Sequence, residues 1–281
     1  MKSILVLEGG AMRGIYTAGI LDQFLENGIE IDAVVGVSAG ALFGINYVSK
    51  QKGRCLKYNL DYIHDKNYMG IHSFLKTGNI MNQDTCFQKI VYESHPFDFD
   101  TFQKSKVDFY SVVTNLETGR AEYVLIKDLK KDMEYLRASG SMPLVSKVVE
   151  INDNKYLDGA IADSIPYQWA KENGYDKIIV VETRPIDYRK KKSLSLPYKI
   201  RYRKYPQFVK AVLNRPNVYN YEKDLIAKEE KEGKVFVFRP SELVPIKRIE
   251  KNPELVQKMY DLGVKDYKDK KDSFLKFLSR S

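Results

Sequence analysis

The sequence is poor in the residues that form disulfide scaffolds, metal centres and histidine-dependent active sites. Its 281 residues include two cysteines, Cys55 and Cys86, and three histidines. The cysteines lie far apart and match no metal-binding or redox spacing, which argues against a disulfide scaffold and favours a reducing compartment. The acidic residues show no calcium-loop spacing. We therefore expect neither a metal ion nor another cofactor.

Long apolar runs are also missing. The longest uncharged apolar run, residues 33–45, contains 13 residues, fewer than the roughly 20 that a membrane-spanning helix needs. The apolar run of residues 3–7 ends at Glu8 and is too short for the core of a signal peptide. These absences predict a cytoplasmic protein.

Acidic charge is scarce in the last third of the chain. Residues 1–185 carry 21 basic and 24 acidic side chains, whereas residues 186–281 carry 25 basic and 13 acidic ones. Hydrophobic residues make up 43% of the chain, which is enough for a sizeable core. We predict an α/β domain over residues 1–185 and a basic helical C-terminal elaboration over residues 186–281, packed on that domain.

The densest positive charge lies in residues 184–204, where nine basic residues accompany one acidic residue. Tyr188, Tyr198 and Tyr202 lie among them, and Tyr205 follows. One interpretation is a solvated surface segment. The other is peripheral contact with an anionic membrane, at its inner face for a cytoplasmic protein. Nucleic acid is not expected as a partner, because no nucleic-acid-binding module accompanies the charge.

Apolar runs alternate with helical patterns at the start of the chain. Residues 3–7 are typical of a strand that is buried on both faces, and residues 15–28 have apolar positions at helical spacing. Residues 31–37 and 39–50 repeat this order. The succession predicts a three-layer α/β/α fold with a mainly parallel central sheet.

Further elements are expected along the chain. They are hairpins over 106–126 and 146–160, a helix over 132–143, a strand over 175–183 and a helix over 254–278.

The segment "GVSAG" joins the second expected strand to the second expected helix. Gly36 and Gly40 lie two positions before and after Ser38, which is the pattern of a nucleophile elbow. Such a turn lifts the serine over the edge of the sheet, where the N-terminus of the helix favours an oxyanion. The alternative is a strand-to-helix turn of small residues that matches by chance.

A serine nucleophile needs a base, and the histidines are poorly placed for that role. None of His64, His72 and His95 ends a clear strand of the expected sheet. A carboxylate can serve instead. Asp158 ends an expected strand and precedes the small residues Gly159 and Ala160, although an Asp-Gly pair is also a common turn.

Three motifs in this order resemble the patatin-like phospholipase family. They are "GGAMRG" at 9–14, "GVSAG" at 36–40 and "DGA" at 158–160, and the resemblance covers roughly residues 3–185. It implies a patatin-like catalytic domain and a Ser-Asp dyad without histidine, with Ser38 as nucleophile and Asp158 as proton acceptor. It also implies an oxyanion hole formed by backbone N–H groups of the glycine-rich loop: Gly9, Gly10, Ala11, Met12, Arg13 and Gly14.

Ala11 departs from the family pattern, because it replaces the middle glycine of the first motif. Alanine keeps its N–H group but restricts φ, so we expect the oxyanion hole to be retained and narrowed. A dinucleotide-binding turn also needs that glycine, which weakens this alternative reading of the motif. Arg13 either stabilises the loop or faces an anionic substrate.

The resemblance implies a serine acyl hydrolase that cleaves carboxylic esters of phospholipids or related acyl lipids through an acyl-enzyme. One alternative is a thioesterase or acyltransferase with the same dyad. Another is a catalytically silent protein that binds anionic lipid through its basic C-terminal third. The sequence leaves open the headgroup, acyl chain length, regiochemistry and oligomeric state.

Overall fold

A mixed sheet of eight strands runs through the computed structural model, which describes residues 1–192 and 194–280. The strand order is β5-β6-β3-β2-β1-β7-β8, and β4 also pairs with β3. The strands are β1 Ser3–Leu7, β2 Ala33–Val37, β3 Asp108–Asn115, β4 Ala121–Leu125, β5 Val149–Ile151, β6 Asn154–Asp158, β7 Lys177–Val181 and β8 Val235–Phe238.

Ten α-helices accompany the sheet in the described part of the chain. They are α1 Ile15–Glu26, α2 Ala39–Val48, α3 Arg54–Asp61, α4 Ile71–Thr77, α5 Phe99–Lys104, α6 Leu129–Ser139, α7 Tyr167–Glu172, α8 Leu196–Arg201, α9 Pro206–Lys231 and α10 Pro253–Leu278. Short 3-10 turns occupy Ala11–Gly14 and Gly159–Ile161, and a π-helix spans Thr85–Ser94.

Helices cover both faces of the sheet because successive strand residues point to opposite faces. In β1, Leu5 and Leu7 belong to the apolar cluster under α1, α2 and α10. Ile4 and Val6 belong to a second cluster with residues of α7 and α9. The expected fold class is therefore confirmed, with four parallel and three antiparallel strand pairings among the described residues.

The last third of the chain contributes to the same sheet. Strand β8 pairs in parallel with β7, and α10 packs along α1. The two helices touch through glycines: a Cβ at Gly19 would lie 2.3 Å from the Tyr260 carbonyl oxygen, and one at Gly263 would lie 2.3 Å from the Tyr16 carbonyl oxygen. The boundary at residue 185 stays a prediction.

The helix expected over 132–143 begins earlier, at Leu129, and ends earlier, at Ser139. Asp128 caps its N-terminus by accepting hydrogen bonds from the Lys130 and Lys131 N–H groups. Strand β8 and helix α9, which contains Pro216, were not expected from the sequence. None of the described helices is long and apolar enough to span a bilayer.

Candidate active site

The turn between β2 and α2 leaves no room for a side chain two positions before or two positions after Ser38. A Cβ at Gly36 would lie 2.6 Å from the Ala41 nitrogen, and a Cβ at Gly40 would lie 2.4 Å from the Leu7 carbonyl oxygen. Ser38 itself has φ 55° and ψ −121°, a backbone conformation that residues other than glycine rarely adopt. The glycine spacing seen in the sequence thus corresponds to a tight, strained turn.

The register of the sheet brings Asp158 to this turn. Strand β2 pairs with β3 up to the Val37–Val112 pair, and β6 pairs with β3 from the next residue, with Asp158 opposite Val113. Strand β4 pairs with the opposite edge of β3 over the same residues. Strands β2 and β6 therefore share the remaining edge of β3, where they meet end to end.

The side chains of Ser38 and Asp158, which this register brings to the same place, are in contact. The Ser38 hydroxyl donates a hydrogen bond to Asp158 Oδ2 at 2.9 Å, and the Ala160 N–H donates to Asp158 Oδ1 at 2.9 Å. Ser38 is 8% exposed and Asp158 is 5% exposed. The structure therefore brings together the two residues that the sequence separates by more than a hundred positions, and it fixes both oxygens of the carboxylate.

Burial raises the pKa of the Asp158 carboxyl above its usual range. The positive charge of Arg215, together with the hydrogen bonds from Ala160 and Ser38, opposes this rise. Asp158 is thus a stronger proton acceptor than an exposed aspartate.

Other hydrogen bonds hold the turn and the aspartate in place. The Ser38 N–H donates to the Ser139 hydroxyl at 2.8 Å. The Thr114 hydroxyl donates to the Asp158 carbonyl oxygen at 2.9 Å. Sequence reasoning did not single out Ser139 or Thr114, although Ser139 lies in a segment of small residues, "ASGS" at 138–141.

The glycine-rich loop lies against Ser38. A Cβ at Gly9 would lie 3.1 Å from the Ser38 Cβ. Ala11 adopts a positive φ of 50°, so the alanine occupies a conformation that glycine adopts without strain.

Two N–H groups of this loop lack an acceptor among the described residues. The N–H of Met12 donates to the Arg248 carbonyl oxygen and that of Arg13 donates to the Gly10 carbonyl oxygen, whereas those of Gly10 and Ala11 have no such partner. These two N–H groups are the strongest candidates of the loop for binding an oxyanion. Gly14 packs on α2, since a Cβ there would lie 2.8 Å from the Ala39 Cβ.

Ser38 lines two adjoining pockets of different character. The first, with a volume of about 90 Å³, is apolar and is lined by residues of α2, α6 and the 51–105 region; they include Leu42, Phe43, Met81, Ile90, Met133 and Leu136. The second, of about 370 Å³, is the more polar of the two, and Asp158 and much of the glycine-rich loop also line it; it is called the polar pocket below. An ester bound at Ser38 can therefore place an apolar part and a polar part in separate surroundings.

The three histidines lie away from this site. His64 and His72 are exposed, and the His95 ring contacts Asp61 Oδ2 at 2.9 Å. None of the three lines either pocket. Within the described residues, no cluster of His, Cys, Asp and Glu side chains can hold a metal ion.

A comparison with protein families identifies the fold. The family model described as patatin-like phospholipase matches residues 5–170, which is more than half of the chain. The chain belongs to the patatin-like phospholipase family. A second model, a domain of unknown function termed DUF6363, matches residues 205–279.

Relatives match about two thirds of the chain. The uncharacterized protein YjjU of Escherichia coli K12 is 29% identical over 186 residues, which cover 64% of this chain and 52% of YjjU. Lysophospholipase NTE1 of Cryptococcus neoformans is 29% identical over 194 residues, covering 65% of this chain and 11% of that protein. The chain thus matches about half of the first relative and about a tenth of the second. The structure of VipD from Legionella pneumophila superposes with a TM-score of 0.47 at 14% identity, over 97% of this chain and 67% of VipD.

A comparison of Ser38→Gly with Ser38→Ala tests the strain in the turn. Both variants lose the hydroxyl, but only glycine adopts φ 55° freely. The conformation costs alanine about 1–3 kcal/mol, and the greater freedom of glycine in the unfolded chain offsets about 0.4–1 kcal/mol of that difference. We expect Ser38→Gly to be the more stable by about 1 kcal/mol in urea unfolding.

Ser105 provides a matched control, because it is also a serine at an element boundary but has a φ of −63°. There, Ser105→Gly should be less stable than Ser105→Ala. Equal stability of the two Ser38 variants would show that the turn is not strained.

Proposed function

We propose that the protein is a serine acyl hydrolase in which Ser38 is the nucleophile and Asp158 accepts its proton. The observation that carries this proposal is the 2.9 Å hydrogen bond from the Ser38 hydroxyl to a buried carboxylate. The same serine lies at the N-terminus of α2 and against a loop in which two N–H groups have no acceptor among the described residues. Membership of a family of phospholipases supports the assignment.

The reaction proceeds in two steps. Asp158 takes the proton of Ser38 as Oγ attacks the ester carbonyl, and the N–H groups of Gly10 and Ala11 bind the oxyanion. Each such donor contributes about 3 kcal/mol in comparable sites. The alcohol leaves with a proton from Asp158, and a water molecule then hydrolyses the acyl-enzyme with Asp158 again as base.

The substrate class follows from the two pockets. The apolar pocket suits an acyl chain, so we infer a lipid ester, and the lysophospholipases among the relatives support a phospholipid or lysophospholipid. A thioesterase or an acyltransferase would use the same residues. A panel of phospholipids, lysophospholipids, acylglycerols and acyl-thioesters distinguishes these activities.

The first functional prediction concerns the two reacting groups. Ser38→Ala and Asp158→Asn should each abolish hydrolysis of 4-nitrophenyl butyrate while the fold is retained. Because the two residues act as a unit, the double variant should lose little more than either single one. The measurement is kcat/KM together with labelling of the parent protein by a fluorophosphonate.

Histidine variants are the control for this experiment. His64→Ala, His72→Ala and His95→Ala should each retain most activity, since none lines the pockets. Near-normal turnover by a folded Ser38→Ala protein would contradict the hydrolase. A loss of about a thousandfold in the kcat/KM of a histidine variant would instead favour a catalytic triad that includes that histidine.

The pH profile should report Asp158. The base is active only when ionised, so kcat/KM falls as the pH is lowered through the raised pKa of Asp158. Because the charge of Arg215 lowers this pKa, Arg215→Gln should move the acid limb to higher pH.

Lys210→Gln is the control for Arg215→Gln, because Lys210 is exposed on the same helix and does not line the polar pocket. The acid limb of Lys210→Gln should lie at the same pH as that of the parent. If the acid limb of the kcat/KM profile of Arg215→Gln is unchanged or lies at lower pH than that of the parent, Asp158 is not the base.

We also propose peripheral membrane contact through residues 184–204, in which Ser193 lies outside the described residues. Leu194, Leu196 and Ile200 of this segment are 82%, 65% and 65% exposed. Exposed Lys191 and Lys192 precede them, and α8 carries Lys199 and Arg201. Apolar side chains among cations are suited to an anionic lipid surface, where each Lys or Arg contributes about 1 kcal/mol.

Replacing Lys191, Lys192 and Lys199 with glutamine should weaken sedimentation with anionic vesicles, most strongly at low salt. The matched control replaces the exposed Lys57, Lys66 and Lys104, which lie elsewhere on the surface. Vesicle binding that is equal for both triple variants at every salt concentration would leave residues 184–204 as a solvated surface.

A further inference from the structure

Basic side chains from four parts of the chain line the polar pocket beside Ser38. The first comes from the glycine-rich loop, the next two follow β7, the fourth lies on α9 and the last precedes α10. They are Arg13, Arg184, Lys190, Arg215 and Arg248. A volume of about 370 Å³ falls within the range of small-molecule sites.

Hydrogen bonds connect two of these residues to the catalytic loops. The Arg248 carbonyl oxygen accepts from the Met12 N–H at 3.3 Å, which fixes the loop before α10 against the glycine-rich loop. Arg215 Nε donates to the Ser164 hydroxyl at 3.3 Å, and the carbonyl oxygen of the same serine accepts from the Gly9 N–H at 3.5 Å. The Arg215 side chain and the backbone of Arg248 are therefore held next to the glycine-rich loop.

Carboxylates compensate the positive charge of the pocket only in part. In the part of the chain that the structure describes, none of the five residues forms an ion pair with a carboxylate. The pocket contains two carboxylates, and both are engaged: Glu8 accepts from the Tyr219 hydroxyl at 2.8 Å, and Asp158 accepts from Ser38. Five basic residues, four of them arginines, thus line the pocket together with two carboxylates.

The cations also repel one another. Burial lowers the pKa of Lys190 to about 6, and the charge of Arg215 adds to this effect. Burial likewise lowers the pKa of Arg13 to about 10, with added repulsion from Arg184 and Arg248. Moreover, Arg13 Nε is buried without a hydrogen-bond partner among the described residues. An anion placed between these groups would relieve the repulsion and supply the missing acceptor.

We propose that the pocket binds the phosphate of an acyl ester with a net negative headgroup; this inference rests on the hydrolase proposed above. The phosphate lies among the cations, the ester carbonyl reaches Ser38 and the acyl chain enters the apolar pocket. A choline headgroup is disfavoured, because its ammonium group finds no free carboxylate. Arg215 and Arg248 lie within residues 205–279, so the region of unknown function takes part in substrate recognition.

The kinetic test compares substrates that share one short acyl chain: an acylglycerol phosphate, the acylglycerophosphocholine and the monoacylglycerol. We expect kcat/KM of the parent to be at least about tenfold higher for the phosphate monoester than for the choline ester. Arg248→Gln should reduce this preference about tenfold, and Arg248→Lys should restore most of it. Since Arg248 is exposed, its replacement leaves the core intact.

Lys247→Gln is the matched control, because Lys247 is the exposed neighbour of Arg248 and does not line the pocket. It should leave the preference at the parental value. Equal kcat/KM of the parent for the phosphate and choline esters, or an unchanged preference in Arg248→Gln, would overturn the proposal.

Calorimetry on Ser38→Ala, which cannot turn over substrate, separates the two sources of phosphate. We expect glycerol 3-phosphate to bind, and we expect the additional Arg248→Gln change to weaken its binding. If calorimetry shows that inorganic phosphate binds and the kinetic test shows no headgroup preference, the pocket is a site for free phosphate. That result would overturn the headgroup assignment.

The outcomes also separate this inference from the proposed function. Glycerol 3-phosphate binding together with a parent protein that hydrolyses no ester, including 4-nitrophenyl butyrate, would contradict the hydrolase and support the anion pocket. Ester hydrolysis without glycerol 3-phosphate binding would support the hydrolase and contradict the pocket.

Discussion

One edge of β3 is shared by two strands that meet end to end, and the candidate site depends on this arrangement. Strand β2 runs parallel to β3 and ends opposite Val112, whereas β6 runs antiparallel and ends opposite Val113. Ser38 leaves the first strand as Asp158 ends the second. Their separation is thus set by the hydrogen-bond register of the sheet, which holds side chains more precisely than a flexible loop does.

This junction needs small residues and tolerates strain. The backbone approaches are too close for a side chain at several positions; at Gly159, for example, a Cβ would lie 2.2 Å from the Val112 carbonyl oxygen. Ser38 keeps a positive φ, and Asp158 is a buried carboxylate. Each feature costs free energy of folding, and the extensive core on both faces of the sheet offsets that cost. A strained serine and a desolvated carboxylate are also what a nucleophile and its base require.

The residues at the two strand ends could be singled out from the sequence because their signals are local, and the family resemblance paired them. Gly36, Ser38 and Gly40 lie within five residues, and Asp158 is marked by the two small residues that follow it. The parallel order of the first strands also follows from local patterns. In contrast, α9 was not expected, because Pro216 and a charged composition obscure its helical pattern.

The cations of the polar pocket were largely beyond prediction for a different reason. Arg215 and Arg248 line the same pocket as Ser38 only through the packing of α9 and of the loop before α10, and no spacing in the sequence encodes such long-range proximity. Arg13 was singled out because it lies in a motif, with two roles left open. Its Nη1 lies 3.4 Å from the Gly10 carbonyl oxygen and it also lines the pocket, so the structure is compatible with both roles.

The basic segment illustrates why a count of charges cannot assign a role. From the sequence, Lys190, Lys191 and Lys192 are equivalent members of one cationic run. In the structure, Lys190 lines the pocket and its Nζ lies 4.1 Å from the centre of the Tyr219 ring, whereas the next two lysines are exposed. One run can therefore serve two roles: the exposed lysines carry charges that salt screens, whereas burial lowers the pKa of Lys190 to about 6 and favours its neutral form unless an anion lies beside it. Attraction to a membrane surface and recognition of a headgroup are then separable properties of adjacent residues.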